Sequence, residues 1–198
     1  MSPGETQAVA RLSTVIRAAL TTERHSEGRG VVLVSGGDGE VVALPGGWLL
    51  VASDDEAAAA RAVREAGLDT VIFLAPGQVQ GGELLVVEDH INLTGANPLT
   101  GPNVDAWGVR FPDMTEPYDR GLRETLGRFG QAGIVAGVPA PIRPGDLGDA
   151  LSLGAHAVST GIIHGAIAAR HCGLRVGAMV VPDDRDLPAL ARRIVAEA

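Results

Sequence analysis

The chain has no lysine: all 16 of its basic residues are arginine. That excludes Schiff-base chemistry and a Walker-type phosphate loop, since each needs a lysine amine. Cysteine occurs once, as Cys172, which excludes an internal disulfide framework and a cysteine-rich zinc site. Aromatic residues are only 3% of the 198, so the core is expected to be built from Val, Leu, Ile and Ala. Positive charge is also scarce, and a net charge of -8 argues against the basic footprint of a nucleic-acid binder. No apolar run is long enough to span a bilayer. The first residues carry Glu5 and no basic cluster ahead of an apolar stretch, so they do not read as a signal peptide. The expectation is a single cytoplasmic domain over residues 1–198, with no metal, no nucleic acid and no membrane partner.

What is present alternates between two periods. Ala8, Val9, Leu12, Val15, Ile16, Ala19 and Leu20 recur at helical spacing and predict an amphipathic helix over 5–25. Residues 31–34, 48–52, 68–75, 132–137, 154–158 and 176–181 are short apolar runs of strand length. Ser35-Gly36-Gly37-Asp38-Gly39 reads as a hairpin turn toward 41–44, because Gly and Asp supply turn geometry. Pro45-Gly46-Gly47 is a further turn. Ser53, Asp54 and Asp55 can cap a helix reaching residue 66, where acidic side chains meet the positive end of the helix. Pro76-Gly77 is expected to close the 68–75 strand. Helices are expected over 116–129, 145–153, 163–172 and 186–198, with Asp183 and Asp184 capping the last. Largely apolar strands alternating with helices predict an α/β sheet covered on both faces.

The most informative stretch begins at Glu88-Asp89-His90-Ile91-Asn92-Leu93 and runs through Asn97-Pro98-Leu99 and Gly101-Pro102-Asn103. Gly108-Val109-Arg110-Phe111-Pro112 and Tyr118-Asp119-Arg120 follow it. A long irregular segment leaving a strand end, rich in Asn, Gly, Pro and Thr, is where function tends to sit. These motifs, in this order, resemble those of the trimeric purine nucleoside phosphorylases. Ala169-Arg170-His171-Cys172-Gly173-Leu174-Arg175-Val176 is similar to the same family. The resemblance implies a three-layer mixed sheet of the nucleoside phosphorylase type with helices on both faces. It also implies a homotrimer, or a heteromer with a related subunit, and a small-molecule nucleoside as ligand. No cofactor is implied; phosphate is the possible co-substrate.

The resemblance also nominates site residues. Ser35 falls where the family holds phosphate with a serine and backbone amides, the alternative being the turn already described. Trp107 falls on the aromatic that the family inserts into a neighbour's ribose pocket; a core tryptophan is the alternative. Thr160 and Gly161 take the places of the family's Met and phosphate-binding Ser. Ala140 and Arg143 lie in the loop where the family carries a purine-stacking aromatic and a Glu. Arg143 is a possible replacement there, or else a solvated surface residue. Asp184 falls on the Asn that reads the purine, with helix capping as the alternative. His164 stands at a helix start without a family counterpart. His171 and Gly173 read as structural, the imidazole favouring the dipole of the helix it ends.

Leu74-Ala75-Pro76-Gly77 departs from the family's Asn-Ala-Ala-Gly, and the family's phosphate-binding Arg and His have no match before His90. Three readings follow. The chain is a phosphorylase-like pentosyltransferase acting on the N-glycosidic bond of a purine nucleoside. Alternatively it is a family member repurposed for another, more apolar ligand, or a non-catalytic trimer subunit.

Overall fold

In a computed structural model the fold is described for residues 3–22, 30–182 and 185–197. The elements run α1 (Pro3–Thr22), β1 (Gly30–Ser35), β2 (Asp38–Leu44), β3 (Trp48–Ser53), α2 (Glu56–Glu65) and β4 (Thr70–Val79). They continue as β5 (Leu85–Asn92), α3 (Arg120–Leu126), β6 (Gln131–Gly137) and α4 (Asp146–Ser152). The chain then completes β7 (Ala157–Ser159), α5 (Ile163–His171), β8 (Arg175–Pro182) and α6 (Leu187–Glu197). None of the described helices is long and apolar enough to cross a membrane.

The period of two in the strands sorts side chains into two cores. Val31 and Leu33 of β1, Val71 and Phe73 of β4, and Val176 and Ala178 of β8 point to one face. That face is covered by α1, α2 and α5 through Ile16, Val63 and Ala166. Val32 and Val34, Ile72 and Leu74, and Met179 and Val181 point to the other. There Leu122 and Leu126 of α3 and Ile194 and Val195 of α6 cover them. Burial of a Val or Leu on either face contributes about 1.5–3 kcal/mol, so the continuous apolar strands are stabilised only as the middle of three layers. The expected architecture is what forms.

The sheet order is β2-β3-β1-β4-β7-β6-β5-β8, and an added β4–β8 pairing closes the last five strands into a ring. β1 lies parallel to both β3 and β4, and β4 lies parallel to β8. β5, β6 and β7 are parallel to one another but antiparallel to that set at the β4–β7 and β5–β8 seams. The result is a mixed sheet bent toward a barrel.

Several expectations need correction. The 35–39 turn is not a β1–β2 hairpin, because β3 lies between these strands and pairs with both. β4 is not closed by Pro76-Gly77 but runs through them to Val79. The reason is a change of partner: β1 pairs with residues up to Leu74 and β7 with residues from Gly77 on. Pro76 falls in the gap, where its missing N–H interrupts no ladder on that side. Gly77 is required there, since a Cβ would lie 2.2 Å from the Val158 carbonyl oxygen. The 116–129 helix is shortened to α3, because Pro117 and Tyr118 precede the cap and Asp119 Oδ1 accepts from the Leu122 amide at 2.9 Å. Asp183 and Asp184 lie outside the described residues. At the start of α6 the Asp186 carboxylate accepts from the Ala189 amide at 3.0 Å.

Candidate active site

Strand register brings the carboxyl ends of the sheet to one place. Gly77, two residues before the end of β4, is opposite Ser159, the last residue of β7, and opposite Pro182, the last of β8. Ser159 is in turn opposite Gly137 at the end of β6, and Gly137 is opposite Asn92 at the end of β5. Ser35 and Ser53, the last residues of β1 and β3, are paired beside them. Crevices outside the carboxyl ends of strands, where chain direction switches, are the ordinary ligand sites of α/β sheets. The buried Ser159 hydroxyl donates to the Pro76 carbonyl at 2.9 Å, fixing the β7 end against β4.

At the edge of this convergence Ser35 Oγ donates to Glu56 Oε1 at 3.0 Å and lies 3.5 Å from the Gly161 carbonyl oxygen. Gly161 is packed tightly against both: a Cβ there would stand 2.2 Å from Ser35 Oγ and 2.9 Å from Glu56 Oε1. Burial pushes the Glu56 carboxyl up to about 7, and Asp55 and Asp54 push in the same direction. A backbone amide and the Ser35 hydroxyl partly oppose that rise by hydrogen-bonding the charged form. Glu56 is set in place by α2, whose cap is Asp55: its side chain accepts from the Ala58 amide at 2.9 Å. An alanine-rich first turn then presses α2 onto the sheet, with Ala57 to Ala60 buried.

The long loop after β5 is ordered by its own polar side chains. Asn92 Oδ1 accepts from the Thr94 amide and hydroxyl at 3.1 and 2.6 Å, and Asn92 Nδ2 donates to the Ala96 carbonyl at 2.9 Å. Thr94 Oγ1 lies 3.0 Å from His164 Nε2, so His164 ties the loop to α5. His90 Nδ1 lies 3.0 Å from the hydroxyl of Tyr118, which is fully buried. Burial lowers the imidazole's pKa and raises the phenol's, so the pair stays neutral. Asp119 accepts from Arg175 Nε and Nη2 at 3.0 and 2.9 Å, and that guanidinium holds the carboxyl below its usual range. The Tyr118-Asp119-Arg120 motif is therefore architectural.

His171 is also structural, though not as a helix-end cation. Burial first, then Arg61, lowers its pKa, and its Nε2 lies 3.1 Å from Asn103 Oδ1 of the Gly101-Pro102-Asn103 turn. Arg61 lies beneath that turn. It pairs with Glu5 of α1, donates to the Pro98 carbonyl at 2.9 Å and sits 4.9 Å from the centre of the Trp107 ring. Trp107 is thus half-buried against its own chain.

The residues nominated from sequence separate into groups. Ser35 is in the convergence, Thr160 is exposed beside it, and His164 stands one turn further on. Ala140 and Arg143 are exposed on the β6–α4 loop, where the Arg143 amide donates to Asp146 Oδ2 at 2.7 Å. Trp107 lies below the loop with Arg61, and Asp184 is outside the described residues. Sequence reasoning missed Glu56. Its signal was a third consecutive acid placed where a strand passes into an alanine-rich helix, directly after the carboxyl end of β3.

The profile described as the phosphorylase superfamily matches residues 1–195. Purine nucleoside phosphorylase 1 of Bacillus subtilis is 32% identical over 130 residues, covering 59% of this chain and 48% of that protein. Purine nucleoside phosphorylase 1 of Geobacillus stearothermophilus is 39% identical over 104 residues, covering 48% of this chain and 38% of that protein. The chain thus spans less than half the length of these relatives. A crystal structure of the Schistosoma mansoni purine nucleoside phosphorylase shares the fold with a TM-score of 0.70 at 18% identity, covering 96% of this chain and 93% of that one. With residues 1–195 of the chain matched by that profile, the chain belongs to the phosphorylase superfamily.

Proposed function

We propose that this protein acts on the N-glycosidic bond of a purine nucleoside, as a pentosyltransferase-like enzyme of its superfamily. The observation that carries this is the meeting of six strand ends around Gly77, with the loop after β5 tied to the same rim by Thr94 and His164. The reading gains support from the purine nucleoside phosphorylases to which the chain is similar. Its test is titration of the purified protein with inosine, adenosine, guanine and adenine, with free base assayed alongside. Binding of a nucleoside with release of its base is expected; neither binding nor release with any of the four would refute it.

The assembly proposed with it is a homotrimer. Phe111 and Val109 stand 86% and 70% exposed, beside a groove of about 570 Å³ lined by His90, Leu99, Arg110, Met114 and Ile167. Exposed apolar groups clustered on one rim are a mark of an interface. Light scattering should give three times the chain mass, and replacing Phe111 by Asp should return it to one. A monomeric wild type would reject the trimer.

A further inference from the structure

The side chains at the Ser35 locus are arranged to accept hydrogen bonds. Glu56 Oε1 accepts a hydrogen bond from the Ser35 hydroxyl at 3.0 Å, and the Gly161 carbonyl faces the same hydroxyl at 3.5 Å. Asp54 and Asp55 stand just before Glu56 and add negative charge. Several charged groups on the helices packed against α2 are engaged elsewhere, among them Arg170 of α5, which donates to the Leu174 carbonyl. Glu5 of α1 pairs with Arg61, Arg17 donates to the Glu65 carbonyl, His164 of α5 meets Thr94 and His171 meets Asn103. Arg11 of α1 shares a groove of about 380 Å³ with Asp54 and Asp55, a groove that Ser35 and Glu56 do not line. An anionic co-substrate at this locus would meet a carboxylate and a carbonyl, and like charge at close range is repulsive. A neutral molecule with two protons to donate suits it better.

We propose that the acceptor of the glycosyl group is water, and that Glu56, positioned by Ser35, is the general base that activates it. This rests on the reading that a purine nucleoside is the substrate, and it replaces phosphorolysis by hydrolysis. In the step, a water proton passes to a Glu56 oxygen as the water oxygen bonds to the anomeric carbon of the sugar. The carbon–nitrogen bond to the purine breaks, its electron pair leaves with the base, and the base nitrogen takes a proton from solvent. Glu56 then returns its proton to solvent, so one water is consumed and free sugar and free base are formed. A carboxylate that exchanges its proton near neutral pH is matched to this task. Gly161 contributes by its lack of a side chain, since a Cβ at that position would collide with both Ser35 and Glu56.

The test compares base release from inosine and guanosine in phosphate-free buffer, in added inorganic phosphate, and in water enriched in oxygen-18. Hydrolysis predicts equal rates with and without phosphate, free ribose as the product, and one labelled oxygen in that ribose. Glu56→Gln should lower kcat by roughly 10²–10⁴-fold with little change in KM. Ser35→Ala should move the acidic limb of the rate profile to higher pH, because the hydroxyl stabilises the carboxylate. That second variant reports on the same proton even if the first is poorly folded. Ribose 1-phosphate as the product, formed only when phosphate is present, would overturn the proposal while leaving the nucleoside reading intact. Release of no base in either buffer would overturn both.

Discussion

Replacing Arg61 by Ala is expected to destabilise the protein by about 3 kcal/mol, the low end of the cost of removing one partner from a buried ion pair, because the Glu5 side chain left behind is 26% exposed. Arg61 is only 4% exposed, and burial already lowers its guanidinium pKa. Its head group joins three segments distant in sequence: Glu5 on α1, the Pro98 carbonyl in the loop after β5, and the Trp107 ring. Truncation leaves the Pro98 oxygen without this donor, removes the cation from the face of Trp107, and opens a cavity where the stem lay. Arg61→Lys should recover only part of the loss, since one ammonium cannot reproduce a guanidinium that reaches several acceptors at once. Urea unfolding followed by far-UV circular dichroism measures both. A loss under 1 kcal/mol for the alanine variant would mean that the loop is held by its own turns, and that the Arg61 cluster contributes little.

The same cluster shows where sequence reasoning stops. Strands such as 31–34, 68–75 and 176–181 were legible because a sheet covered on both faces demands unbroken apolar runs, and such runs are visible one residue at a time. The motif Tyr118-Asp119-Arg120 was legible as a signature but not as a device. Its meaning depends on His90 and Arg175, which the chain brings to it from 28 and 56 residues away. Proline and glycine at 76 and 77 read as a stop because a stop is their commonest effect. Nothing local announces that β4 exchanges β1 for β7 at that point. The role given to His171 erred in a similar way: a last-turn histidine favours a helix dipole only when it is charged, and here burial and Arg61 keep it neutral. Glu56 was the costliest omission. The expectation for this stretch went no further than a cap at Ser53, Asp54 and Asp55 on a helix reaching residue 66, whereas the environment of Glu56 is set by Ser35 and by Gly161, 105 positions further on. A carboxylate's environment comes from what folds over it, and spacing along the chain carries little of that.

Glu56 should also leave a mark on stability that is independent of any substrate. Its carboxyl is raised from 4.5 to about 7, so between those values the folded chain holds a proton that the unfolded chain has released. Stability from this group is therefore fully present below pH 4.5 and is lost as pH rises through 7. Two and a half pH units correspond to about 3 kcal/mol, and solvent reaching the half-buried side chain brings that toward 2. Asp119 works in the opposite direction: its pKa is depressed by Arg175, so its contribution is present at neutral pH and lost on acidification. The comparison that isolates Glu56 is therefore Glu56→Gln against wild type at each pH. The two should unfold at the same urea concentration at pH 4.5, and the glutamine variant should be about 2–3 kcal/mol more stable at pH 8. Equal stability at both pH values would mean that Glu56 titrates as an ordinary surface acid and cannot serve as a base poised near neutrality. A more stable variant that no longer cleaves nucleoside would show the reverse. A group that lowers stability at working pH persists where activity depends on it, and the carboxylate beside Ser35 would then be kept for its chemistry.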